Sequence, residues 1–346
     1  MKPIQTAIIG FGMAGQIFHS PALKDHPLFK VSHIMTRDPI KINHISNMDS
    51  TLVVVPNYEE ILSNPEIDLI ILATSNDVHA EYTKRALQAN KHVVCEKPFV
   101  SSYQTACDLF RLAKNNKRIL KVYHNRIYDG DMQTILHLIQ NNRLGNIHSF
   151  HARFDRFVPS FIPNWRYSSG VMTGIFYDLA PHLIYDALAL FGLPDRVSLD
   201  LFKDRPNLAF DDHFEMVLYY PNLTVYLGAQ TRLRYPKPRF EITGDKASFV
   251  KYGFDQPDVN YQRNHHNSSG QFGLLYDDQG EKKIPIQMGK HYLFYDRLAH
   301  AIMGSQSIDL NIDLDMAVVY LMEQAIKSFK DKTPINLSIK EIKLHD

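Results

Sequence analysis

Four short groups of residues in this sequence have the types and spacing that redox chemistry on a small molecule requires. The first is Gly10-Phe11-Gly12-Met13-Ala14-Gly15, a G-x-G-x-x-G string that follows a strand-like apolar run and opens a helical pattern. The first glycine permits a tight turn, the second lets a pyrophosphate approach the backbone, and the third lets helix and strand pack closely. The string predicts a dinucleotide site, whereas a glycine-rich turn without a ligand is the alternative.

The second group, Thr36-Arg37, lies where the second strand is predicted to end. A fold that binds NAD usually has an acidic residue at this place, which bonds the ribose 2′-hydroxyl. Arg37 can instead pair with a 2′-phosphate through a charge-assisted fork, so NADP is predicted in preference to NAD. If the strand extends two residues further, Asp38 becomes the ribose ligand and Arg37 is a solvated surface charge.

The third group is Cys95-Glu96-Lys97-Pro98, which ends a short apolar run. Open α/β sheets bind ligands at the carboxyl ends of their strands, and this makes Lys97 a candidate site residue. Its ammonium group can donate to a substrate hydroxyl or carbonyl and stabilise oxyanion charge as it develops. Most lysines at strand ends are simply solvated, but Pro98 presets the turn and restrains Lys97.

The fourth group is Asp178-Leu179-Ala180-Pro181-His182, where a carboxylate and an imidazole lie four residues apart. On a helix this spacing places both on one face. His182 can accept the proton of an alcohol as hydride leaves its carbon, while Asp178 orients the ring and raises its basicity. The alternative is an ordinary pair on a helix surface, against which Pro181 argues because it distorts the turn before His182.

Alternating strands and helices must position the first three groups. The strands predicted from β-branched runs are Gln5–Ile9, Lys30–Met35, Thr51–Val55, Leu69–Ala73, His92–Cys95 and Ile119–Tyr123, with helical segments between them. Side-chain oxygens that start helices stand at Asn76 and at Ser101-Ser102. This pattern predicts an α/β Rossmann domain, a doubly wound parallel sheet, over residues 1–122.

The order of elements changes in residues 123–346. Helices are predicted at Asp131–Asn142, Gly174–Phe191, Tyr292–Met303 and Asp315–Lys330, and strands at His148–Phe157, Asp212–Tyr220, Thr224–Arg234 and Arg239–Thr243. Turn residues such as Pro221-Asn222 join successive strands and favour antiparallel pairing. We therefore expect an α+β second domain that binds the substrate.

The order and spacing of these groups resemble the Gfo/Idh/MocA oxidoreductases along essentially the whole chain. Further matching strings are Ala73-Thr74-Ser75-Asn76 with His79, Val122-Tyr123-His124-Asn125-Arg126, and Trp165-Arg166. Within that family the sequence is most similar to the NADP-dependent scyllo-inositol dehydrogenases.

The resemblance implies a catalytic trio of Lys97, Asp178 and His182, with NADP or NAD as cofactor and a cyclic polyol or sugar as substrate. It implies that the cofactor is lined by the glycine turn, Lys97, Thr74, Ser75, Asn76, His79 and Glu96. Trp165 and Arg166 are expected to reach the nicotinamide end of the cofactor. Tyr123, Asn125 and His182 are expected to border the substrate. It also implies an open, mostly antiparallel sheet in the second domain. Through that sheet, subunits are expected to pair into a dimer or tetramer.

Composition excludes several other classes of protein. A length of 346 residues favours two domains. Lys and Arg number 38 against 37 Asp and Glu, a net charge of +1 that provides no basic field to recruit nucleic acid or an anionic membrane. Neither a signal peptide nor a membrane-spanning run is present, and the two cysteines suit a reducing compartment, so we expect a cytoplasmic protein.

No metal site is expected, and two other functions stay open. Adjacent His265 and His266 point apart, and His124 with Asp129 and Asp131 lacks the compact ligand set of structural zinc. A nucleotide-sensing regulator of the same fold without chemistry is the first alternative, against which the intact catalytic trio argues. A glycosidase that keeps its nicotinamide bound and oxidises its substrate only transiently is the second.

Overall fold

The structure is a computed structural model that describes residues 2–161, 164–235, 237–254, 271–304 and 309–338. The described chain divides into two units. The first contains residues 2–123, 291–304 and 309–312, and the second contains the remaining described residues. The boundary predicted after residue 122 stays a prediction, and the segment 291–304 belongs to the first unit by its contacts. His265 and His266 lie outside the described residues.

The first unit contains a six-stranded sheet in which all pairs are parallel. Its strands are β1 (Ile4–Ile9), β2 (Phe29–Met35), β3 (Val53–Val55), β4 (Leu69–Leu72), β5 (His92–Cys95) and β6 (Leu120–Val122), in the order β3-β2-β1-β4-β5-β6. Strands covered on both faces are apolar throughout, and all four residues of β4 are buried. The prediction of a Rossmann fold is confirmed. The order reverses between β1 and β4, where such sheets bind ligands.

Helices connect the strands and cover the sheets. They are α1 (Ser20–Lys24), which continues a π-helix over Ala14–His19, α2 (Pro39–Met48), α3 (Tyr58–Ser63), α4 (His79–Gln88), α5 (Tyr103–Asn115), α6 (Gly130–Gln140), α7 (Ile175–Phe191), α8 (Tyr292–Met303) and α9 (Ile312–Asp331). Ser102 caps α5 as predicted, because its hydroxyl accepts a hydrogen bond from the N–H of Thr105. Within the described residues, no helix has the length and apolar character that crossing a bilayer requires.

The second unit is built on a nine-stranded sheet. Its strands are β7 (Ile147–Arg153), β8 (Arg196–Phe202), β9 (His213–Tyr219), β10 (Thr224–Gln230), β11 (Phe240–Gly244), β12 (Ser248–Lys251), β13 (Phe272–Asp277), β14 (Gly280–Pro285) and β15 (Ile335–Asn336). Their order is β14-β13-β12-β11-β7-β10-β9-β8-β15, and every pair except β7 with β10 is antiparallel. Buried residues alternate along β9, and α7 packs against β9 and β10. The predicted α+β domain with a mostly antiparallel sheet is confirmed.

Strands β8, β12, β13, β14 and β15 have no counterpart among the predicted strands. β14 reads Gly-Glu-Lys-Lys-Ile-Pro, and its place in the sheet comes from pairing with β13 rather than from an apolar pattern. The strand predicted over His148–Phe157 ends earlier, at Arg153. Beyond that point Phe157 forms only an isolated bridge with Arg232.

Candidate active site

The glycine turn after β1 places a different demand on each of its glycines. Gly10 has a φ of +91°, and a Cβ there would lie 2.5 Å from the carbonyl oxygen of Ala73. A Cβ on Gly15 would lie 2.7 Å from the carbonyl oxygen of Gly10, so the turn and the helix pack too closely for a side chain. A Cβ on Gly12 would meet no atom within 4 Å. Two glycines are thus required by the fold, and Gly12 leaves its backbone open to a ligand.

This geometry fits the pyrophosphate of a dinucleotide. Phe11 is buried and Ala14 begins the π-helix, whereas the Met13 side chain is exposed. The Oγ1 atom of Thr74, at the end of neighbouring β4, is buried and has no hydrogen-bond partner in the described part of the chain. An open glycine in this turn and a buried polar atom without a partner after the neighbouring strand are features that a bound, polar ligand would complete.

Asp38 does not take the position of a ribose ligand, because β2 ends at Met35. Its Oδ1 atom accepts hydrogen bonds from the N–H groups of Ile40 at 3.0 Å and Lys41 at 3.4 Å, which caps α2. The Lys41 ammonium lies 3.2 Å from Oδ2, and this hydrogen bond lowers the pKa of Asp38. The Asp38 side chain therefore caps the N-terminus of α2.

Arg37 and Thr36 follow β2 directly. Arg37 donates from Nε to the carbonyl of Pro56 at 2.9 Å and from Nη2 to Oδ1 of Asn57 at 3.5 Å. Thr36 is buried, and its hydroxyl accepts a hydrogen bond from the N–H of Asp38. The guanidinium is held beside the end of the second strand, where a fold of this type places the adenosine ribose.

The segment after β4 contributes Ser75, Asn76 and His79. Ser75 is extended and precedes a short 3₁₀ turn that begins at Asn76, which is buried. His79 is fully buried, and its Nδ1 atom lies 2.9 Å from the carbonyl oxygen of Pro98. Burial lowers the pKa of His79, so the ring is neutral near pH 7. His79 supports the loop that carries Lys97.

A buried hydrogen-bonded chain ends at the loop of Lys97. Oε1 of Glu96 lies 3.0 Å from Nε2 of His19, and Nδ1 of His19 lies 2.6 Å from the hydroxyl of Tyr295 on α8. Oε2 of Glu96 accepts a hydrogen bond from the N–H of Lys97 at 3.2 Å. Burial alone would raise the pKa of Glu96, but the hydrogen bond from His19 and the charges of His19 and Lys97 outweigh burial and lower it. Glu96 is therefore a carboxylate that orients the backbone of Lys97.

His19 and Tyr295 were not among the predicted site residues. His19 lies four residues after Gly15, one helical turn beyond the glycine string, and this spacing is a local signal that could have indicated it. Tyr295 lies 276 residues further along the chain, so only the fold brings its hydroxyl to His19.

In the second unit, α7 begins at a tightly fitted glycine and aspartate. Gly174 has a φ of +94°, and a Cβ there would lie 2.2 Å from Oδ1 of Asp211. Oδ2 of Asp211 accepts a hydrogen bond from the N–H of Phe176 at 2.7 Å, and its carbonyl accepts one from the N–H of Ile175. A carboxylate is favoured at a helix N-terminus by the free N–H groups and the dipole. Asp211 thus fixes the start of the helix that carries Asp178 and His182.

Replacing Asp211 with asparagine is expected to flatten the pH dependence of stability between pH 4 and 6. Burial raises the pKa of Asp211 to about 6, although the N–H groups at the helix start oppose this. The folded state therefore binds more protons than the unfolded state in this window, and stability falls as pH rises through it, by on the order of 2 kcal/mol. Thermal unfolding at several pH values measures the slope. The exposed turn variant Asp278→Asn is the control, and equal slopes in all three proteins would contradict the expectation.

Asp178 and His182 both lie on α7, which continues through Pro181. Oδ2 of Asp178 accepts a hydrogen bond from the Tyr167 hydroxyl at 3.1 Å, and Oδ1 lies 3.9 Å from Nε of Arg166. The imidazole of His182 is 7% exposed. The structure therefore places the predicted acid and base one helical turn apart on one element, with a tyrosine and an arginine beside the acid.

The remaining predicted residues occupy three places. The guanidinium of Arg166 stacks over the Trp165 ring at 4.3 Å. Tyr123 is 1% exposed, and its ring packs 4.4 Å from that of His19 and 4.7 Å from that of Phe294. Asn125 is buried at the start of a 3₁₀ turn. The roles of these side chains at cofactor and substrate stay predictions, as does the convergence of Lys97 with Asp178 and His182.

Asp186 lies one further turn along α7 from His182 and was also not predicted. It is fully buried, neither carboxylate oxygen has a hydrogen-bond partner among the described residues, and burial raises its pKa well above the usual range. Nη2 of Arg239 lies 4.0 Å away. The spacing of four from His182 is a signal in the sequence, because Asp178, His182 and Asp186 share one face of the helix.

Comparison with known families matches both parts of the chain. Residues 4–124 match the model of the Gfo/Idh/MocA oxidoreductase family with an NAD-binding Rossmann fold. Residues 132–250 match the model of the Gfo/Idh/MocA C-terminal domain.

Individual relatives cover the chain almost completely. The uncharacterized oxidoreductase YdgJ of Escherichia coli is 32% identical over 97% of this chain and 99% of its own length. The scyllo-inositol 2-dehydrogenase (NADP(+)) IolW of Bacillus subtilis is 30% identical over 96% of each chain. Among solved structures, the Bacillus subtilis protein yvaA superposes with a TM-score of 0.90 at 30% identity, covering 97% of this chain and 99% of its own.

Proposed function

Because this chain belongs to the Gfo/Idh/MocA family of NAD(P)-dependent oxidoreductases, we propose that it transfers hydride between NADP(H) and a hydroxyl-bearing carbon of a cyclic polyol or sugar. The observation that carries the proposal is that Lys97 lies at the carboxyl end of β5 and that Asp178 and His182 lie one turn apart on α7; their convergence on one substrate is part of the proposal. The NADP-dependent inositol dehydrogenase among its relatives supports this class of substrate.

NADP is proposed over NAD because of the residues after β2. The Asp38 carboxylate accepts from two N–H groups of α2 and lies 3.2 Å from the Lys41 ammonium, which leaves about one of its four acceptor sites for a ribose 2′-hydroxyl. Arg37 stands at the same place, and because Pro56 and Asn57 accept from two of its five N–H groups, three are available to a 2′-phosphate. Residues 1–122 are proposed to bind the cofactor through the glycine turn, Thr36 and Arg37. The other residues proposed to line the cofactor are Thr74, Ser75, Asn76, His79 and Glu96 of the same domain and Trp165 and Arg166 of the second domain.

Bound NADP supplies the acceptor for the hydride of the substrate. His182 accepts the proton of the reacting hydroxyl at one ring nitrogen, and Asp178 keeps the ring oriented and favours its protonated form. Lys97 donates a hydrogen bond to the same oxygen as negative charge develops on it, held in place by the carboxylate of Glu96. Tyr123 and Asn125 are proposed to border the substrate within the second domain, residues 123–346. Subunits are proposed to pair into a dimer or tetramer through the sheet of that domain.

The function is tested by following the absorbance of reduced nicotinamide with NADP⁺ and NAD⁺ in parallel. The substrates are scyllo- and myo-inositol, hexoses and, in the reverse direction, their keto forms. We expect turnover with NADP and at least one of these polyols or sugars. Binding of NADP without turnover of any of them would indicate a nucleotide-sensing regulator. A nicotinamide retained through purification, with hydrolysis of a glycoside, would indicate the glycosidase alternative.

A further inference from the structure

A cleft of about 280 Å³ in the second unit is lined by an unusual excess of cationic side chains. Its walls include one carboxylate, that of Asp155, and the side chains of Arg153, Arg156, Arg234, Lys237 and Arg239. The protein as a whole has a net charge of only +1. The positive charge is therefore concentrated locally, as it is where proteins bind anions.

Two of these cations already have an acidic side chain beside them. Arg153 lies 2.6 Å from Oδ2 of Asp155 through Nε and 2.6 Å from Oε1 of Glu215 through Nη2. Arg239 lies 4.0 Å from the buried carboxyl group of Asp186. The pair of Arg153 with Asp155 accounts for the one carboxylate that lines the cleft.

Three cations are left without such a partner. Within the described residues, Arg156, Arg234 and Lys237 have no carboxylate at salt-bridge distance, since every ion pair found involves other side chains. The guanidinium of Arg234 rests 4.1 Å above the ring of Phe157, which is 40% exposed. A guanidinium packed on an aromatic ring can still direct its N–H groups at the two oxygens of a carboxylate or phosphate.

The cleft is separated from the proposed catalytic imidazole by one aromatic ring. Phe254, in the wall of the cleft, stacks on Phe154 with ring centroids 5.6 Å apart. The Phe154 ring in turn makes an edge contact with that of His182 at 6.4 Å. All of these residues belong to the second unit. Taken together, the two centroid distances put the His182 ring within about 12 Å of the Phe254 ring, a separation that a sugar with an attached acidic group would have to span.

We propose that the substrate is an acidic polyol or sugar, whose phosphate or carboxylate group binds in this cleft to Arg156, Arg234 and Lys237. The inference rests on the proposed function, because it assigns the neighbouring imidazole to the reacting hydroxyl. A neutral polyol could not form an ion pair with any of these three cations. An oxyanion on the substrate supplies that charge and fixes which hydroxyl faces His182.

The proposal is tested by comparing each acidic compound with its neutral parent at saturating NADP⁺. The pairs are myo-inositol 1-phosphate with myo-inositol, glucose 6-phosphate with glucose, and glucuronate with glucose. For at least one pair we expect kcat/KM to be about ten- to a hundredfold higher for the acidic member, and to fall with added salt. The two pairs with a phosphate and the pair with glucuronate show whether the cleft prefers a phosphate or a carboxylate group. Equal or higher kcat/KM for every neutral parent would overturn the proposal.

The matched variants are Arg234→Gln and Arg196→Gln. Both guanidinium groups rest on an aromatic ring, Arg196 at 4.8 Å above Tyr219, but Arg196 does not line the cleft. Arg234→Gln is expected to remove most of the preference for the acidic member, and Arg196→Gln to keep it. Loss of the preference in both variants, or in neither, would contradict the assignment.

Calorimetric titration of the NADP⁺-saturated protein separates this proposal from the proposed function. If no compound is turned over, the proposed function fails. Glucose 6-phosphate binding that weakens about tenfold or more in Arg234→Gln still supports the cleft as an oxyanion site. Inorganic phosphate that binds as tightly as glucose 6-phosphate would show that the cleft takes a free anion, and the inference about the substrate would be wrong.

Discussion

Replacing Lys97 with alanine is expected to lower kcat by about two to four orders of magnitude, the effect of removing a positioned donor to a developing oxyanion. The side chain follows β5 at the edge where such sheets bind ligands, and Glu96 holds its backbone N–H. The dissociation constant of NADP is expected to change little, because the glycine turn supplies the pyrophosphate contacts. Steady-state kinetics and a fluorescence titration with NADPH measure the two quantities.

Two control variants separate this effect from a general loss of charge or stability. Lys84→Ala removes an exposed lysine of α4, and kcat is expected to stay near the wild-type value. Lys97→Arg keeps the charge but changes the donor geometry, so we expect an intermediate kcat. Near-normal turnover by Lys97→Ala would remove Lys97 from the mechanism, and with it the observation that carries the proposed function.

Replacing Gly10 with alanine is expected to destabilise the protein by about 2 to 5 kcal/mol. The residue has a φ of +91°, and the added Cβ would lie 2.5 Å from the Ala73 carbonyl oxygen. Backbone of β4 would have to shift, and the first strand would lose its fit to the second half of the sheet. Thermal unfolding measures the effect as a fall in Tm of roughly 5 to 20 °C.

Gly12→Ala is the matched variant, two residues away in the same turn. Its Cβ meets nothing within 4 Å, so the free energy of unfolding should change by less than about 1 kcal/mol. The same methyl group projects toward the proposed pyrophosphate, and we expect NADP binding to weaken about tenfold or more. If Gly12→Ala binds NADP normally, the pyrophosphate does not lie against this turn. If Gly10→Ala is as stable as Gly12→Ala, the strain assigned to Gly10 is absent.

The parts of the fold that sequence predicts well are those fixed by local chemistry. The central strand β4 of the first sheet, Leu-Ile-Ile-Leu, is apolar throughout because both of its faces are covered, and this pattern is visible along a single stretch of chain. The G-x-G-x-x-G string likewise predicts its turn, since the positive φ of Gly10 and the close approach of Gly15 to the carbonyl of Gly10 both arise within the string. Strands such as β14 escape prediction because their stability comes from the partner strand.

The site is predicted less completely than the fold for the same reason. The hydrogen bond from His19 to Glu96 joins residues 77 positions apart, and that from Tyr295 to His19 spans 276. The pairing of Asp186 with Arg239 depends on how α7 packs on the second sheet. Spacing along one helix indicates His19 and Asp186, but their partners come from tertiary structure alone.

Helix α8 has a consequence for how the protein is made. The ribosome releases residues 2–123 first, yet the ring packed on Tyr123 and the hydroxyl bonded to His19 belong to Phe294 and Tyr295. The nucleotide-binding unit is therefore complete only after residues 124–290 and α8 have also been synthesised. Until then Tyr123 and the buried imidazole beside it lack their cover, and the nascent first unit presents an apolar surface of the kind that chaperones recognise.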